Sequence, residues 1–232
     1  MKTLYSLEEF IVLIRSLLSG DLRNFVITLC LVLPAVIICL TVHECAHGLM
    51  ARALGDHTAE RAGRLTLDPM AHIDPMGFLC MLLLGFGWAT PVPVNVSQFR
   101  IKNRKAGMAL VGLAGPLSNF ILAIPCYMLA IWLAVRGGNA TFITTLQMFF
   151  SYIAALSVGL GMFNLIPVHP LDGSHILDAF LPFQYQVKMQ KYQPVILLAV
   201  IALVYFGIFD VFIGGAQNAL FRLSLTIVKP LL

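Results

Sequence analysis

Long runs without charged residues restrict the fold of this sequence more than any other feature. Five segments contain no Asp, Glu, Lys or Arg: 25–42, 75–99, 107–135, 137–168 and 194–209. Apolar stretches of about 18 residues or more are long enough to cross the hydrocarbon core of a bilayer as an α-helix. The sequence therefore predicts a protein that is embedded in a membrane.

Composition supports this prediction. Of the 232 residues, 59% are hydrophobic and 11% are charged, whereas about 25% charged residues are typical of soluble domains. No polar stretch is long enough to fold alone. We therefore predict an all-α polytopic membrane protein with about 4–6 transmembrane helices, forming one integral-membrane domain over 1–232 with a core at about 25–180.

Basic residues predict the orientation of the chain. The densest basic cluster consists of Arg100, Lys102, Arg104 and Lys105. Such clusters stay on the cytoplasmic side, so a helix over 107–135 leaves the cytoplasm and a helix over 141–165 returns to it. The net charge of +4 comes without a long basic stripe, and we therefore expect no nucleic-acid partner.

Two apolar segments are too short or too amphipathic for a simple span. Residues 1–24 carry apolar side chains at helical intervals and are predicted to lie in the membrane interface. Residues 76–88 are apolar but stop before the proline-rich sequence TPVPVN. They either cross the membrane as a short helix or dip into it and return. The segment after Gly214 is left unassigned.

The sequence TVHECAHGLM, near the end of the first apolar helix, predicts a metal site. On a helix, His43 and His47 lie on one face, about 40° apart and about 6 Å along the axis. That spacing lets two imidazoles bind one zinc, and Glu44 can then serve as general base towards water. On a soluble helix these residues would often be a solvated face, but ionisable groups in a membrane are costly and usually functional.

Asp172, in FNLIPVHPLDG, is the best candidate for a third ligand. The predicted topology brings this segment to the same membrane face as His43. Two histidines and one carboxylate would leave the fourth zinc position open for water, as in catalytic zinc sites. We expect one zinc ion per chain. The alternative is that Asp172 is only a turn residue, because Pro-Leu-Asp-Gly is a favourable turn sequence.

Five motifs give the chain a family resemblance. HECAHG, GRLTLDPMAHIDPMG, GWATPVPVN, AGPLSN and NLIPVHPLDG occur in this order over about 35–180. They resemble the site-2 protease family of intramembrane metalloproteases, in particular its minimal prokaryotic branch without PDZ or CBS domains. The resemblance implies a three-helix catalytic core built from the helices that carry HECAHG, AGPLSN and NLIPVHPLDG. It also implies zinc ligation by His43, His47 and Asp172, with Glu44 activating water.

The resemblance also implies a location and a class of partner. The expected substrates are transmembrane proteins or peptides, reached through the lipid bilayer of a prokaryotic inner or plasma membrane. The active site is expected near the cytoplasmic face. The chain departs from the family at His169 and His175, which flank Asp172 where relatives often carry an aromatic or small residue and an arginine. No role is assigned to these two histidines.

Two asparagines in apolar helices are candidates for substrate binding. Asn119 in AGPLSN could orient substrate or water, or it could make a hydrogen bond between helices. Asn164 matches a family position for which we favour a contact with the substrate backbone, the alternative being a cap on a broken helix. His57 and His72 are predicted to be loop and interface residues.

Residues 90–96, TPVPVNV, are held extended by their prolines. Such a membrane-associated extended loop could present a free edge to a peptide, which would then add to it as a strand. A plain connecting loop is the other interpretation.

Two other functions are compatible with histidines and aspartate in a membrane. A zinc transporter would need a second polar site in the outer half of the helices, and the sequence offers none. An inactive scaffold that only binds membrane proteins would not need Glu44, since zinc binding alone does not use it.

Overall fold

The fold is given by a computed structural model that describes residues 21–77, 80, 89–138 and 140–232. The helices are α1 (Leu22–Ala53), α2 (Thr58–Arg61), α3 (Arg104–Arg136), α4 (Thr141–Asn164), α5 (Gly173–Phe180), α6 (Phe183–Tyr205) and α7 (Asp210–Val228). In the described residues there is no β-strand, only an isolated antiparallel bridge between Ile73 and Ala89. The predicted all-α class is confirmed. The interfacial lead, as far as residue 20, and most of 76–88 lie outside the described residues.

In the part of the chain that the structure describes, four helices are long and apolar enough to cross a membrane: Leu22–Ala53, Arg104–Arg136, Thr141–Asn164 and Asp210–Leu231. This number agrees with the predicted range, and the last of them lies largely in the segment that the sequence left unassigned. Exposed apolar side chains, such as Leu117 and Ile121 on α3, form surfaces suited to lipid. The chain is an integral membrane protein.

The ends of α1 and α3 follow from local sequence. Asp21 caps α1 by accepting a hydrogen bond from the Asn24 amide, and Asn103 caps α3 by accepting one from the Ala106 amide. Side chains of this type satisfy amides that have no partner inside the helix. Helix α3 continues through Pro116 and Pro125 as one element.

Helices α1, α3 and α4 pack around a core of mostly small side chains, and α7 lies against α3 and α4. The buried members of this core include Ala35, Cys39, Ala123, Ala154 and Val158. Small residues let membrane helices approach closely, which compensates for the lack of a hydrophobic drive between helices in lipid. These are the three helices that the motifs predicted to form the core, and their packing places the end of α1 beside the start of α3.

The extended segment 90–96 is attached to the loop that follows α1. Arg64 donates from Nη2 to the Thr90 carbonyl at 2.7 Å, and the Asn95 amide donates to Asp56 Oδ2 at 2.6 Å. Asp56 is fully buried and also accepts from Thr58. Burial disfavours its charge, but the hydrogen bonds from Thr58 and Asn95 outweigh this and lower its pKa. Both ends of the segment are therefore fixed.

Candidate metal centre

His43 and His47 lie side by side on the buried face of α1. Their ring centroids are 4.7 Å apart and the rings are nearly perpendicular, at 86°. The helical spacing predicted that the two imidazoles share one face, and the structure shows them in contact.

The Asp172 carboxylate completes a group of three possible ligands. Its Oδ2 lies 2.9 Å from His43 Nε2 and 3.3 Å from His47 Nε2. Asp172 precedes α5 directly, but its side chain makes no capping hydrogen bond and points to the histidines instead. One ligand atom from each of the three residues lies within 4.8 Å of the others, and no second group of this kind occurs in the described part of the chain.

Helix α3 shapes the space around the two histidines. His47 Nδ1 lies 2.7 Å from the Val111 carbonyl, so Nδ1 carries the proton and Nε2 is left as a lone-pair donor. A Cβ added to Gly115 would lie 2.5 Å from His47 Cε1 and 2.7 Å from His43 Cε1. Such contacts are far closer than van der Waals distance, so α3 can approach the imidazoles only because residue 115 is glycine.

This arrangement fits a catalytic zinc ion. Two imidazole nitrogens and one carboxylate oxygen are a known donor set for zinc with an open fourth position. The space that a Cβ at Gly115 would fill adjoins both rings. Burial disfavours the charge of Asp172, yet its contacts with His43 and His47 outweigh this and hold its pKa well below its usual range. The carboxylate is therefore ionised at neutral pH, as a metal ligand must be.

Glu44 follows His43 on α1 and lies outside the group of three. Its Oε2 accepts a hydrogen bond from the Val92 amide at 3.1 Å. Pro91 and Pro93 have no amide hydrogen, so Val92 is the only donor among residues 91–93. The carboxylate thus contacts the extended segment directly.

The two predicted substrate-binding asparagines differ in position. Asn119 is fully buried, and its Nδ2 lies 3.0 Å from His43 Nδ1. Asn164 is partly buried at the end of α4, where its Nδ2 donates to the Leu160 carbonyl of its own helix at 3.0 Å. A substrate contact for either residue stays a prediction.

The other histidines lie outside the group of three. His57 pairs with Glu60, and His72 Nε2 lies 2.9 Å from the Thr66 carbonyl. His169 contacts Ser174 through Nδ1 at 3.0 Å. His175 lies near His169, with 6.0 Å between ring centroids, and burial lowers its pKa.

The sequence interpretation placed α3 in the catalytic core and considered an interhelical hydrogen bond for Asn119, but it did not foresee how Val111 and Gly115 contact the histidines. Val111, Gly115 and Asn119 are spaced four residues apart, so they form one stripe along the helix, and all three face the histidines. The spacing was visible in the sequence, but only the packing of α1 against α3 shows what the stripe contacts. The hydrogen bond between Glu44 and Val92 was likewise not foreseen.

The fold and this centre together define a class, the membrane-embedded zinc metalloproteases. Residues 131–207 match the family described as Peptidase family M50. "Putative zinc metalloprotease YwhC" of Bacillus subtilis is 44% identical over 158 residues, which are 67% of this chain and 71% of that protein. "Putative zinc metalloprotease Rip2" of Mycolicibacterium smegmatis is 29% identical over 158 residues, 65% of this chain and 57% of that protein.

A zinc metalloprotease of Methanocaldococcus jannaschii is 32% identical over 94 residues, which are 40% of this chain and 26% of that protein. No solved structure gives a significant match. The chain belongs to peptidase family M50, the site-2 proteases, as its five motifs predicted. It is a metalloprotease, and its cofactor is zinc.

Proposed function

We propose that this protein hydrolyses peptide bonds within or near the transmembrane segments of other membrane proteins, which is regulated intramembrane proteolysis. The observation that carries this proposal is the position of the metal-ligating group. His43 and His47 belong to a helix long and apolar enough to span a membrane, and they are buried where that helix packs against α3. A substrate that reaches them must itself enter the membrane or its interface.

Within this proposal, His43, His47 and Asp172 hold one zinc ion per chain. Bound zinc supplies a Lewis acid that polarises the scissile carbonyl and activates water for attack. Glu44 accepts the proton of the attacking water and delivers it to the leaving amine. This role is supported by its place beside His43 and by its carboxylate, which is held by one amide hydrogen bond and by no salt bridge in the described residues.

The extended segment 90–96 is the proposed binding edge for the substrate backbone. A peptide bond can be hydrolysed only after its helix has unwound, and freed backbone groups in lipid need new hydrogen-bond partners. The segment is fixed by Arg64 and Asp56, and it contacts Glu44. Asn164, at the end of α4, and Asn119 are further candidates for contacts with the substrate.

The proposed location is a prokaryotic inner or plasma membrane, with the active site near the cytoplasmic face. Basic residues at the start of α3, including Arg104 and Lys105, support this orientation because basic clusters are retained in the cytoplasm. The Val111 carbonyl that contacts His47 lies two turns along the same helix from that cluster.

The test uses purified full-length protein in liposomes with a transmembrane peptide as substrate. We expect cleavage that stops when zinc is chelated and returns when zinc is restored. Glu44→Gln should abolish cleavage and leave zinc bound, because the base is lost and the ligands remain. Glu60→Gln is the matched control, because Glu60 is exposed on α2 and makes no contact with the centre. Zinc passage into the liposomes without cleavage would favour a transporter, and substrate binding without cleavage a scaffold.

A substrate series tests the requirement for unwinding. Leu, Ala or Gly is placed a few residues from a fixed cleavage site in otherwise identical peptides. Glycine lowers helix stability by about 1 kcal/mol relative to alanine, which corresponds to roughly fivefold in rate if unwinding precedes chemistry. Equal rates across the series would contradict this part of the proposal.

A further inference from the structure

Asn119 is a fully buried residue, and the two ends of its side-chain amide have different surroundings. Its Nδ2 lies 3.0 Å from His43 Nδ1, whereas its Oδ1 has no hydrogen-bond partner among the described residues. A buried polar atom without a partner is energetically unfavourable. The end of this buried amide that has a partner faces a proposed zinc ligand.

The chemistry of His43 identifies the interaction between these two side chains. His43 Nε2 faces Asp172 at 2.9 Å and is the atom placed for metal ligation. An imidazole nitrogen that binds a metal carries no proton, so a neutral His43 ring then has its proton on Nδ1. The Nδ1–H group needs an acceptor, and the side chain within hydrogen-bond distance is Asn119.

The amide can supply this acceptor by a half-turn about its last side-chain bond, with no shift of α3. The two ends of an asparagine amide have nearly the same shape and are assigned from the surrounding hydrogen bonds. A half-turn of the amide places Oδ1 where Nδ2 lies, 3.0 Å from His43 Nδ1. In this orientation the ring N–H donates to the buried oxygen, and the amide nitrogen takes the position that has no partner.

We propose that Asn119 is a positioning residue for zinc ligation, accepting a hydrogen bond from His43 Nδ1–H through Oδ1 and so holding Nε2 towards the metal. The proposal rests on the ligand role proposed for His43. In this arrangement, α3 accepts a hydrogen bond from each of the two imidazoles. The Val111 carbonyl accepts from His47 Nδ1 at 2.7 Å, and Asn119 does the same for His43 two turns further along. Each imidazole thus has its outer nitrogen fixed by α3.

The size of the effect follows from similar contacts in other metal sites. Removal of the hydrogen-bond partner of a ligating histidine typically weakens metal affinity about 10- to 100-fold. Asn119→Leu keeps nearly the same shape but removes the acceptor, whereas Asn119→Asp keeps an oxygen acceptor. Gln217→Leu is the matched control, because Gln217 is another buried amide, which donates to the Ala155 carbonyl at 3.2 Å on the side of the bundle formed by α7 and α4.

The experiment measures zinc affinity of the full-length protein by competition with a chelator of known affinity. Cobalt-substituted protein gives an absorption spectrum that reports ligand geometry independently of activity. We expect Asn119→Leu to lose about 10- to 100-fold in zinc affinity and to change the cobalt spectrum. Asn119→Asp should stay within about threefold of the parent in affinity, by the same argument, and Gln217→Leu should leave both readouts unchanged.

Three results would overturn the proposal: parental zinc affinity in Asn119→Leu, equal losses in Asn119→Leu and Asn119→Asp, or an equal loss in Gln217→Leu. If Asn119→Leu does not fold, Asn119→Ala replaces it in the comparison with Asn119→Asp. His43→Ala separates the two levels of the argument. Zinc retained by His43→Ala refutes the ligand assignment itself, whereas zinc lost by His43→Ala and kept by Asn119→Leu refutes only the role of Asn119.

Discussion

Replacement of Gly115 by alanine is the most direct test of how the metal centre is built. The added Cβ would lie 2.5 Å from His47 Cε1 and 2.7 Å from His43 Cε1, where ordinary contact begins at 3.4 Å. Either α3 or both imidazoles must therefore move by about 1 Å. The substitution changes no charge and no hydrogen-bonding group, so its effect reports the close approach of α3 alone.

The expected effect on folding is small because two terms oppose each other. Excess volume in a packed core costs about 1–3 kcal/mol, whereas alanine in place of glycine stabilises a helix interior by about 1 kcal/mol. The net loss of unfolding free energy is thus about 0–2 kcal/mol. Function is more sensitive, since a shift of about 1 Å in a catalytic group can cost about 100-fold in rate.

Gly215→Ala is the matched control, because Gly215 also lies in an apolar helix and an added Cβ would meet no described residue within 4 Å. Thermal unfolding in detergent, zinc content after dialysis and cleavage rate are measured for both variants. We expect Gly115→Ala to unfold near the parental temperature but to lose most zinc and about 99% of activity. Full zinc content and full activity in Gly115→Ala would refute the structural argument.

Three other predictions address different parts of the chain. Asp172→Ala should lower zinc content and cleavage together, whereas His169→Ala should keep zinc; the reverse result would exchange the ligand assignment. Cysteines introduced as Lys102→Cys and Lys188→Cys in a variant without native cysteines should both be labelled from the cytoplasmic side, and labelling from opposite sides would contradict the proposed orientation. Folding lowers the pKa of Asp56, so this carboxylate stabilises the protein above its unfolded pKa, and the stabilisation is lost as pH falls through the folded pKa. Asp56→Asn should therefore be less stable than the parent at neutral pH. Thermal unfolding should also show that this variant loses less stability than the parent when the pH is lowered.

Local sequence predicted the parts of the site that depend on one helix. His43 and His47 are brought together by helical spacing alone, and the helix is specified by its long apolar run. The proximity of Asp172 to them was predicted by a different route, because topology placed its segment at the same membrane face. The structure shows all three in contact, and their roles in catalysis stay predictions.

The remaining contacts depend on the register between helices, which no local pattern specifies. Whether Val111, Gly115 or another residue of α3 faces the histidines changes with a small rotation of that helix. The hydrogen bonds that link Asp56 and Arg64 to the extended segment join residues that are far apart in the sequence. Such contacts could be deduced only from the packed structure.

If segment 90–96 binds the substrate backbone as proposed, the hydrogen bond between Val92 and Glu44 would couple peptide binding to the release of the Glu44 carboxylate. Val92 has one amide hydrogen, and at present the Glu44 carboxylate occupies it. A peptide carbonyl that paired with the same amide would compete with the carboxylate for a single donor. Such a coupling is reciprocal. The Glu44 carboxylate weakens the binding of the peptide to Val92, and the bound peptide weakens the hydrogen bond from Val92 to Glu44 by the same free energy. Detachment would free Glu44 Oε2 from the extended segment, so an arriving peptide would itself release the proposed base.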